Sequence, residues 1–203
     1  SKRTSECLEA LGKFAALKLG MAAARGRCRA FTDADLPYDL DALPYIHALV
    51  TRGGFHVVVG DRTLPDSRYR GAGGARPLAT RVFSAAVRLL VTGELFDTQC
   101  GLKGFRGDVA DALFPLVSDP GFAGDVELLY VALKHNLAIR RIPVRLRAHE
   151  PSTVRLLTQA PRMVLRILGL RSRWTAGRYG SPDLERLAAQ RYWETAPVGG
   201  PEA

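Results

Sequence analysis

The stretch Phe55-His56-Val57-Val58-Val59-Gly60-Asp61-Arg62 decides how the rest of the chain is read. It is β-branched and nearly continuous in its apolar character, the pattern of a strand buried on both faces, and such strands belong to sheets covered by helices on either side. Working upstream, Leu40 to Arg52 reads as a helix closed by Gly53-Gly54. Arg29 to Thr32 is a short strand ahead of Asp33. Leu8, Leu11, Ala15, Leu19, Ala22 and Ala23 recur at helical intervals from Leu8 to Arg25, and Gly26 ends that helix. Working downstream, Asp61 to Ala75 is a polar loop rich in Arg and Gly, and Pro77 to Thr92 is a helix. A short strand is expected at Gly101 to Arg106, then helices over Asp108–Val117 and Asp125–His135. A strand at Ile139 to Arg147 and a basic amphipathic helix at about 154–170 complete the series. Strands alternating with helices give an α/β protein with a sheet of parallel character. With no internal repeat or low-complexity linker, residues 1–180 form one domain and 181–203 read as a C-terminal tail, frayed near Gly199-Gly200-Pro201.

Composition narrows the function classes. The 203 residues are 47% hydrophobic and 24% charged, ample for a real core. No run of eighteen apolar residues is present to span a bilayer, and the polar opening Ser1 to Glu9 is not a signal peptide. Cys7, Cys28 and Cys100 are far apart with no CxxC pair, which suggests neither a zinc site nor a disulfide framework and fits a reducing cytoplasm. His47, His56, His135 and His149 lack metal-ligand spacing. The net charge of +9, mostly arginine, calls for an anionic partner: nucleic acid, an anionic membrane or a phosphorylated substrate. A codon bias toward arginine would give the same charge.

Several short segments could carry chemistry. Asp33-Ala34-Asp35 places two carboxylates at i and i+2 past a strand end, where alternation would point them to one side. Two hard oxygen ligands there suit Mg²⁺ or Mn²⁺ bridging a diphosphate. Asp39-Leu40-Asp41 matches the same pattern and reads as charge at a helix start. Arg62, just beyond the buried strand, lies at the sheet edge where α/β proteins bind ligands and could grip a phosphate. Asp97-Thr98-Gln99-Cys100-Gly101-Leu102-Lys103 is polar and glycine-containing. Asp125 and Glu127 open a helix on different faces, so one is expected to point at a substrate and the other to cap, pair or complement the helix dipole. Each segment taken singly also has a purely structural explanation.

Taken in order they resemble glycosyltransferase family 2. The succession Gly12-Lys13, Gly20, Ala24-x-Gly26, Thr32-Asp33-Ala34-Asp35-Leu36, Val59-Gly60-Asp61-Arg62, Asp97 to Lys103 and Asp125-Val126-Glu127-Leu128-Leu129-Tyr130 carries the likeness. Within the family it is similar to the dolichyl- and polyprenyl-phosphate glycosyltransferases, and Asp97–Lys103 with Asp125–Tyr130 look most like the dolichyl-phosphate β-glucosyltransferases. The resemblance, from about Leu11 to Leu170, implies a GT-A fold, Rossmann-like, with a mixed, mostly parallel sheet. It implies transfer of glucose from UDP-glucose to a polyprenyl or dolichyl phosphate with inversion. The basic amphipathic helix, with Arg162, Arg166, Arg171 and Arg173 among its apolar residues, points either to peripheral contact with the cytoplasmic face of an anionic membrane or to a core-packing helix with a solvated arginine face, and no nucleic acid is expected as a partner. By the same resemblance Asp33 and Asp35 hold Mg²⁺ or Mn²⁺, and Lys13 lies near the nucleotide. Arg62 lies near the phosphates of donor or acceptor. Asp97, Gln99 and Lys103 line the acceptor and sugar pocket, beside Asp125 and Glu127. Arg155, in Pro151-Ser152-Thr153-Val154-Arg155, stands where relatives carry the lysine of a Gly-Ser-Lys segment.

The family's first strand and its Asp-Asp-Gly-Ser segment, which bind base and ribose, have no counterpart in these residues, and the chain opens without a methionine. The expectation is a fragment, a truncated gene product or a chain completed by a partner, so part of the nucleotide-binding half is missing. A phosphomonoester acceptor, ionised at neutral pH, hardly needs a general base. Asp125 would therefore orient a hydroxyl or a cation, while Arg62 and Lys103 balance negative charge. Two other readings stand beside this one. A catalytically inactive scaffold of the same fold would bind neither metal nor UDP. A nucleic-acid-binding module would interleave aromatic with basic residues, and Arg62 to Arg81 holds only Tyr69.

Overall fold

A computed structural model of the chain describes residues 12–69, 97–121, 123–146 and 156–190. The helix expected over Pro77–Thr92 lies outside the described residues, as does Arg155.

The first helix, α1 (Lys13–Ala23), starts where Gly12 turns with φ +90°. The amides of Phe14 and Ala15 both donate to the Pro120 carbonyl, at 2.8 and 3.3 Å. A Cβ on residue 12 would fall 2.7 Å from that same oxygen, so only glycine fits this entry. Strand β1 (Cys28–Phe31) follows, then α2 (Ala42–Thr51), β2 (Val57–Asp61) and β3 (Arg68–Tyr69). After these come β4 (Lys103–Arg106), α3 (Gly107–Leu113) running into a 3₁₀ turn (Phe114–Leu116), and α4 (Ala123–Lys134). Strands β5 (Ile139–Pro143) and β6 (Arg145–Leu146) precede α5 (Leu156–Thr175) and α6 (Pro182–Ala189).

The main sheet has the order β1-β4-β2-β5. Strand β4 runs antiparallel to β1 and to β2, whereas β2 and β5 are parallel, so three strands point one way and one against them. This is the mixed, mostly parallel α/β sheet that the sequence implies. A second sheet pairs β3 with β6 in parallel. Every residue of β2 is buried. Val57 and Val59 enter a core with Phe14, Phe105, Leu113 and Leu128, while Val58 faces a separate core with Ile46, Leu102 and Ile142. The period of two along a strand divides the three valines between two layers, which explains why the segment lacks any polar alternation.

Two C-terminal features differ from expectation. Residues after 181 do not begin as a frayed tail: α6 is capped by Ser181, whose Oγ accepts from the Leu184 amide at 3.3 Å, with Pro182 in the first turn. Leu184 and Leu187 are buried in the larger core, and that burial holds the short helix. The basic helix α5 extends to Thr175 and packs on α4 through Ile167, Leu170 and Trp174. Trp174 lies against His135, with centroids 5.3 Å apart, and against Tyr130 and Tyr179. Two of its arginines are turned to protein, Arg166 to Asp119 and Arg173 to Ser118 and Glu127. Among the described residues no helix is long and apolar enough to cross a membrane.

Candidate functional site

The register of β4 against its neighbours sets the site. Lys103 pairs with Phe31 at the end of β1 and with Val59 near the end of β2. The start of the antiparallel strand thus lies beside the C-terminal ends of the two strands flanking it, the edge where such sheets place ligands. Asp33 and Asp35 sit just past β1, but not in extended backbone. Residues 34–35 form a turn, the Leu36 amide donates to the Asp33 carbonyl at 3.0 Å, and Leu36 takes a φ of +45°. The strand alternation expected to align the two carboxylates therefore does not operate; the turn delivers them, with Asp33 half-buried and Asp35 exposed.

From Asp33 a line of alternating charge runs inward. Lys13 Nζ lies 2.6 Å from Asp33 Oδ1 and 3.7 Å from Asp125 Oδ2. Lys103 Nζ closes the line at 2.8 Å from Asp125 Oδ1, and also donates to the Cys100 carbonyl at 2.8 Å. Exposure falls along it: Lys13 and Asp33 side chains are 28% and 27% exposed, Asp125 3% and Lys103 0%. Burial opposes the charge on Lys13, but the nearby Asp125, together with Asp33, holds its pKa above the ordinary lysine value. Lys103, with its ammonium 5.5 Å from the centre of the Phe31 ring, has no surface for a ligand; it fixes Asp125 instead.

The segment 97–103 joins the parts. Asp97 takes a bidentate bridge from Arg62, Nε to Oδ2 at 2.6 Å and Nη2 to Oδ1 at 2.7 Å, and the Arg62 amide adds a third bond at 3.0 Å. Burial would raise the Asp97 pKa, but these bonds from Arg62 hold it below the usual carboxylate value; in return Asp97 raises that of Arg62 against its own burial. Gly101 lies against Asp33, where a Cβ would fall 1.8 Å from Asp33 Oδ2. The Gly101 amide donates to the Tyr38 hydroxyl at 3.3 Å, and burial, first of several causes, pushes the Tyr38 pKa far up. Gln99 is half-buried in the same segment. Tyr38 and the Cys100 carbonyl were not legible as site components, since a tyrosine and a backbone oxygen carry no spacing signal; Gly101 stood within the quoted Asp97–Lys103 segment without an assigned role. Nor was Arg141, which donates to the buried Asp61 at 2.7 Å and so fixes the residue before Arg62.

Glu127 does not join this group. Its Oε1 accepts from Ser118 Oγ at 2.8 Å, from Arg173 at 2.9 Å and from the Tyr179 hydroxyl, and its Oε2 from the amides of Ser118 and Asp119 at 3.1 and 2.9 Å. Fully buried and with every lone pair engaged, it ties α4 to α5 and to the loop at 118–121. A cavity of about 340 Å³ lined by Arg27, Arg106 and Gln190 among others opens at the opposite end of β1 and β4, where Cys28 pairs with Arg106, and none of the expected site residues line it.

The donor set can be weighed against a divalent cation. No group of three His, Cys, Asp or Glu side chains among the described residues could cage a metal alone. Asp33 and Asp35 are hard oxygen donors at a partly open edge, and Asp33 already attracts a cation, the Lys13 ammonium. One or two carboxylates completed by substrate phosphates is the usual setting of Mg²⁺, so the residues fit a metal shared with a diphosphate.

Comparison with known proteins agrees with this geometry at the level of family. The model of Glycosyl transferase family 2 matches residues 8–114, over half of the chain. Glycosyltransferase AglD of Haloferax volcanii is 31% identical over 134 residues, 66% of this chain and 21% of that protein. Dolichyl-phosphate beta-glucosyltransferase of Drosophila melanogaster is 32% identical over 149 residues, 70% of this chain and 46% of that one. The crystal structure of glucosyl-3-phosphoglycerate synthase from Mycobacterium tuberculosis, with Mn²⁺, UDP-glucose and phosphoglyceric acid, is 22% identical with a TM-score of 0.56, covering 84% of this chain and 56% of that one. This chain spans less than two thirds of the length of each. The likeness in structure establishes the GT-A fold. It also corrects the narrower expectation of a dolichyl- or polyprenyl-phosphate branch with a lipid phosphate acceptor: the mycobacterial enzyme whose structures match is a glucosyl-3-phosphoglycerate synthase, with complexes that include phosphoglyceric acid and glycerol 3-phosphate.

Proposed function

Because this chain belongs to glycosyltransferase family 2, we propose that it carries the catalytic machinery for moving glucose from UDP-glucose, with Mg²⁺ or Mn²⁺, to a small phosphorylated acid of the phosphoglycerate kind. The observation that carries this reading is the line Asp33–Lys13–Asp125–Lys103 at the sheet edge, with the exposed Asp35 beside it. The complex of the mycobacterial enzyme supports the choice of donor, metal and acceptor class, and the net charge of +9 suits a pair of anionic substrates.

In this scheme Asp33 and Asp35 would hold the cation, with the substrate diphosphate completing its shell. When bound, the cation supplies Lewis-acid stabilisation of the departing nucleoside diphosphate. Lys13 adds positive charge on the same side. Arg62, aimed by its two bonds to Asp97, faces the second cluster of negative charge as a preorganised donor, which costs no reorientation at the moment of transfer. Asp125 orients the acceptor hydroxyl that bonds to the glucosyl carbon, and its oxygen not held by Lys103 takes up that hydroxyl's proton as the bond to the diphosphate breaks; Lys103 acts only by holding Asp125 in place. Gln99 borders the pocket.

Calorimetric titration of UDP-glucose with and without Mn²⁺, followed by a transfer assay with 3-phosphoglycerate, tests the scheme. Binding is expected to require the metal, and Asp35→Asn to abolish both binding and transfer. Metal-independent binding, or normal transfer by Asp35→Asn, would refute it.

Contact with an anionic membrane surface is a second reading of α5. It is favoured by Leu165 and Leu168, 70% and 49% exposed, next to the exposed Arg171.

A further inference from the structure

Asp33 has two oxygens, and each meets the protein on one side while the side chain as a whole stays 27% exposed. Oδ1 is held by the Lys13 ammonium at 2.6 Å. Oδ2 is packed against the bare backbone of Gly101, so closely that a methyl group there would overlap it. A divalent cation that takes Asp33 at Oδ1 therefore meets the Lys13 ammonium on the same oxygen. Two positive charges sharing one carboxylate oxygen repel strongly at a half-buried site, where water screens them only in part.

The arrangement also provides a place for Lys13 to go. Asp125 Oδ2 is 3.7 Å from Lys13 Nζ, just beyond a direct hydrogen bond, while the other oxygen of Asp125 is already satisfied by Lys103 at 2.8 Å. A shift of about an ångström would bring Lys13 onto Asp125 within normal bonding distance. An incoming diphosphate would draw the same ammonium toward its own oxygens. The position of Lys13 between two carboxylates, one shared with a metal and one not, is that of an exchangeable counter-ion.

We propose that Lys13 is a gate on Asp33: it occupies the carboxylate in the unliganded protein, opposes binding of the metal alone, and is released when nucleotide and metal arrive together. This rests on the reading of Asp33 as a metal-binding residue given above. Its consequence is thermodynamic coupling. Whatever factor UDP adds to metal affinity, the metal adds to UDP affinity, and much of that factor passes through one side chain.

The test is equilibrium binding to the full chain, with Mn²⁺ followed by electron paramagnetic resonance and UDP by calorimetry, each alone and in the presence of the other. In the native protein Mn²⁺ alone is expected to bind weakly, and UDP to tighten it tenfold or more. Lys13→Met is expected to bind Mn²⁺ alone about tenfold more tightly, with the coupling to UDP falling toward one, as removal of a competing charge requires. Lys13→Arg keeps the charge and is expected to keep the coupling, and its thermal unfolding beside that of Lys13→Met separates gating from misfolding. If Lys13→Met is folded and its affinity for Mn²⁺ alone is unchanged or weaker, the gate is overturned while the metal site stands. If the native protein binds neither Mn²⁺ nor UDP even together, the metal-binding reading falls and the gate with it.

Discussion

Asp125 and Glu127 stand two residues apart on one helix, both buried, both ionisable, and their surroundings are opposite in kind. Glu127 accepts five hydrogen bonds from Ser118, Asp119, Arg173 and Tyr179, and nothing further could bind it without breaking one. Asp125 has one oxygen anchored by Lys103 and the other 3.7 Å from a lysine that is itself shared with Asp33. The first carboxylate is closed and holds helices together. The second is half-committed and leads to the surface. Burial and charge do not separate these two carboxylates; the completeness of their partners does.

Glu127→Ala is the strongest way to break this comparison. Removing one partner of a buried, paired set leaves Arg173 and two amides uncompensated, so a loss of about 3–5 kcal/mol in urea unfolding is expected. A stable Glu127→Ala that had lost UDP binding would mean that Glu127 belongs to the site after all. Lys103→Met comes next, with an expected loss of about 3 kcal/mol, the low end of that range, because Lys13 remains near Asp125. Gly101→Ala should leave unfolding little changed yet displace Asp33, weakening Mn²⁺-dependent UDP binding about tenfold, or about 1.4 kcal/mol by calorimetry.

A smaller effect is expected from the Arg62–Asp97 bridge. Its partner holds the Asp97 pKa below the ordinary 3.8, so the bridge stabilises the fold fully above that value, and the contribution is lost as pH falls through the depressed one. Arg62→Leu should flatten the acid limb of the stability profile in that window and nowhere else. At the other extreme, Leu165→Glu should leave stability within about 0.5 kcal/mol. If α5 touches anionic membranes, this change will reduce flotation with anionic vesicles; unchanged flotation would remove the membrane reading.

Much of the architecture was open to inspection in the chain. The run Val57 to Val59 announced a strand covered on both faces because no polar residue interrupts it, and Lys103–Arg106 and Ala42–Thr51 fell within a few residues of their expected places. The helix at Pro182–Ala189 was missed although Ser181, Pro182, Asp183 and Glu185 form a recognisable N-terminal signal, because a short amphipathic segment near a chain end resembles a tail until its leucines find a core. The order of charged motifs was legible as well, and it gave the family. The acceptor was not: the same motifs pointed to a lipid phosphate, which the matched complexes with phosphoglyceric acid correct.

What the sequence determined by itself is local: which segments bury an apolar face, which end on a carboxylate, and in what order these recur. Only the tertiary structure decided which charges meet. Lys13 and Asp33 are twenty residues apart, Lys103 and Asp125 twenty-two, and no periodicity links either pair. Their meeting depends on the register of one antiparallel strand, which sets Lys103 opposite Phe31, and on a helix start seated on the Pro120 carbonyl. Coulomb attraction acts over distance in space, and the distance in space between two residues is set by the fold.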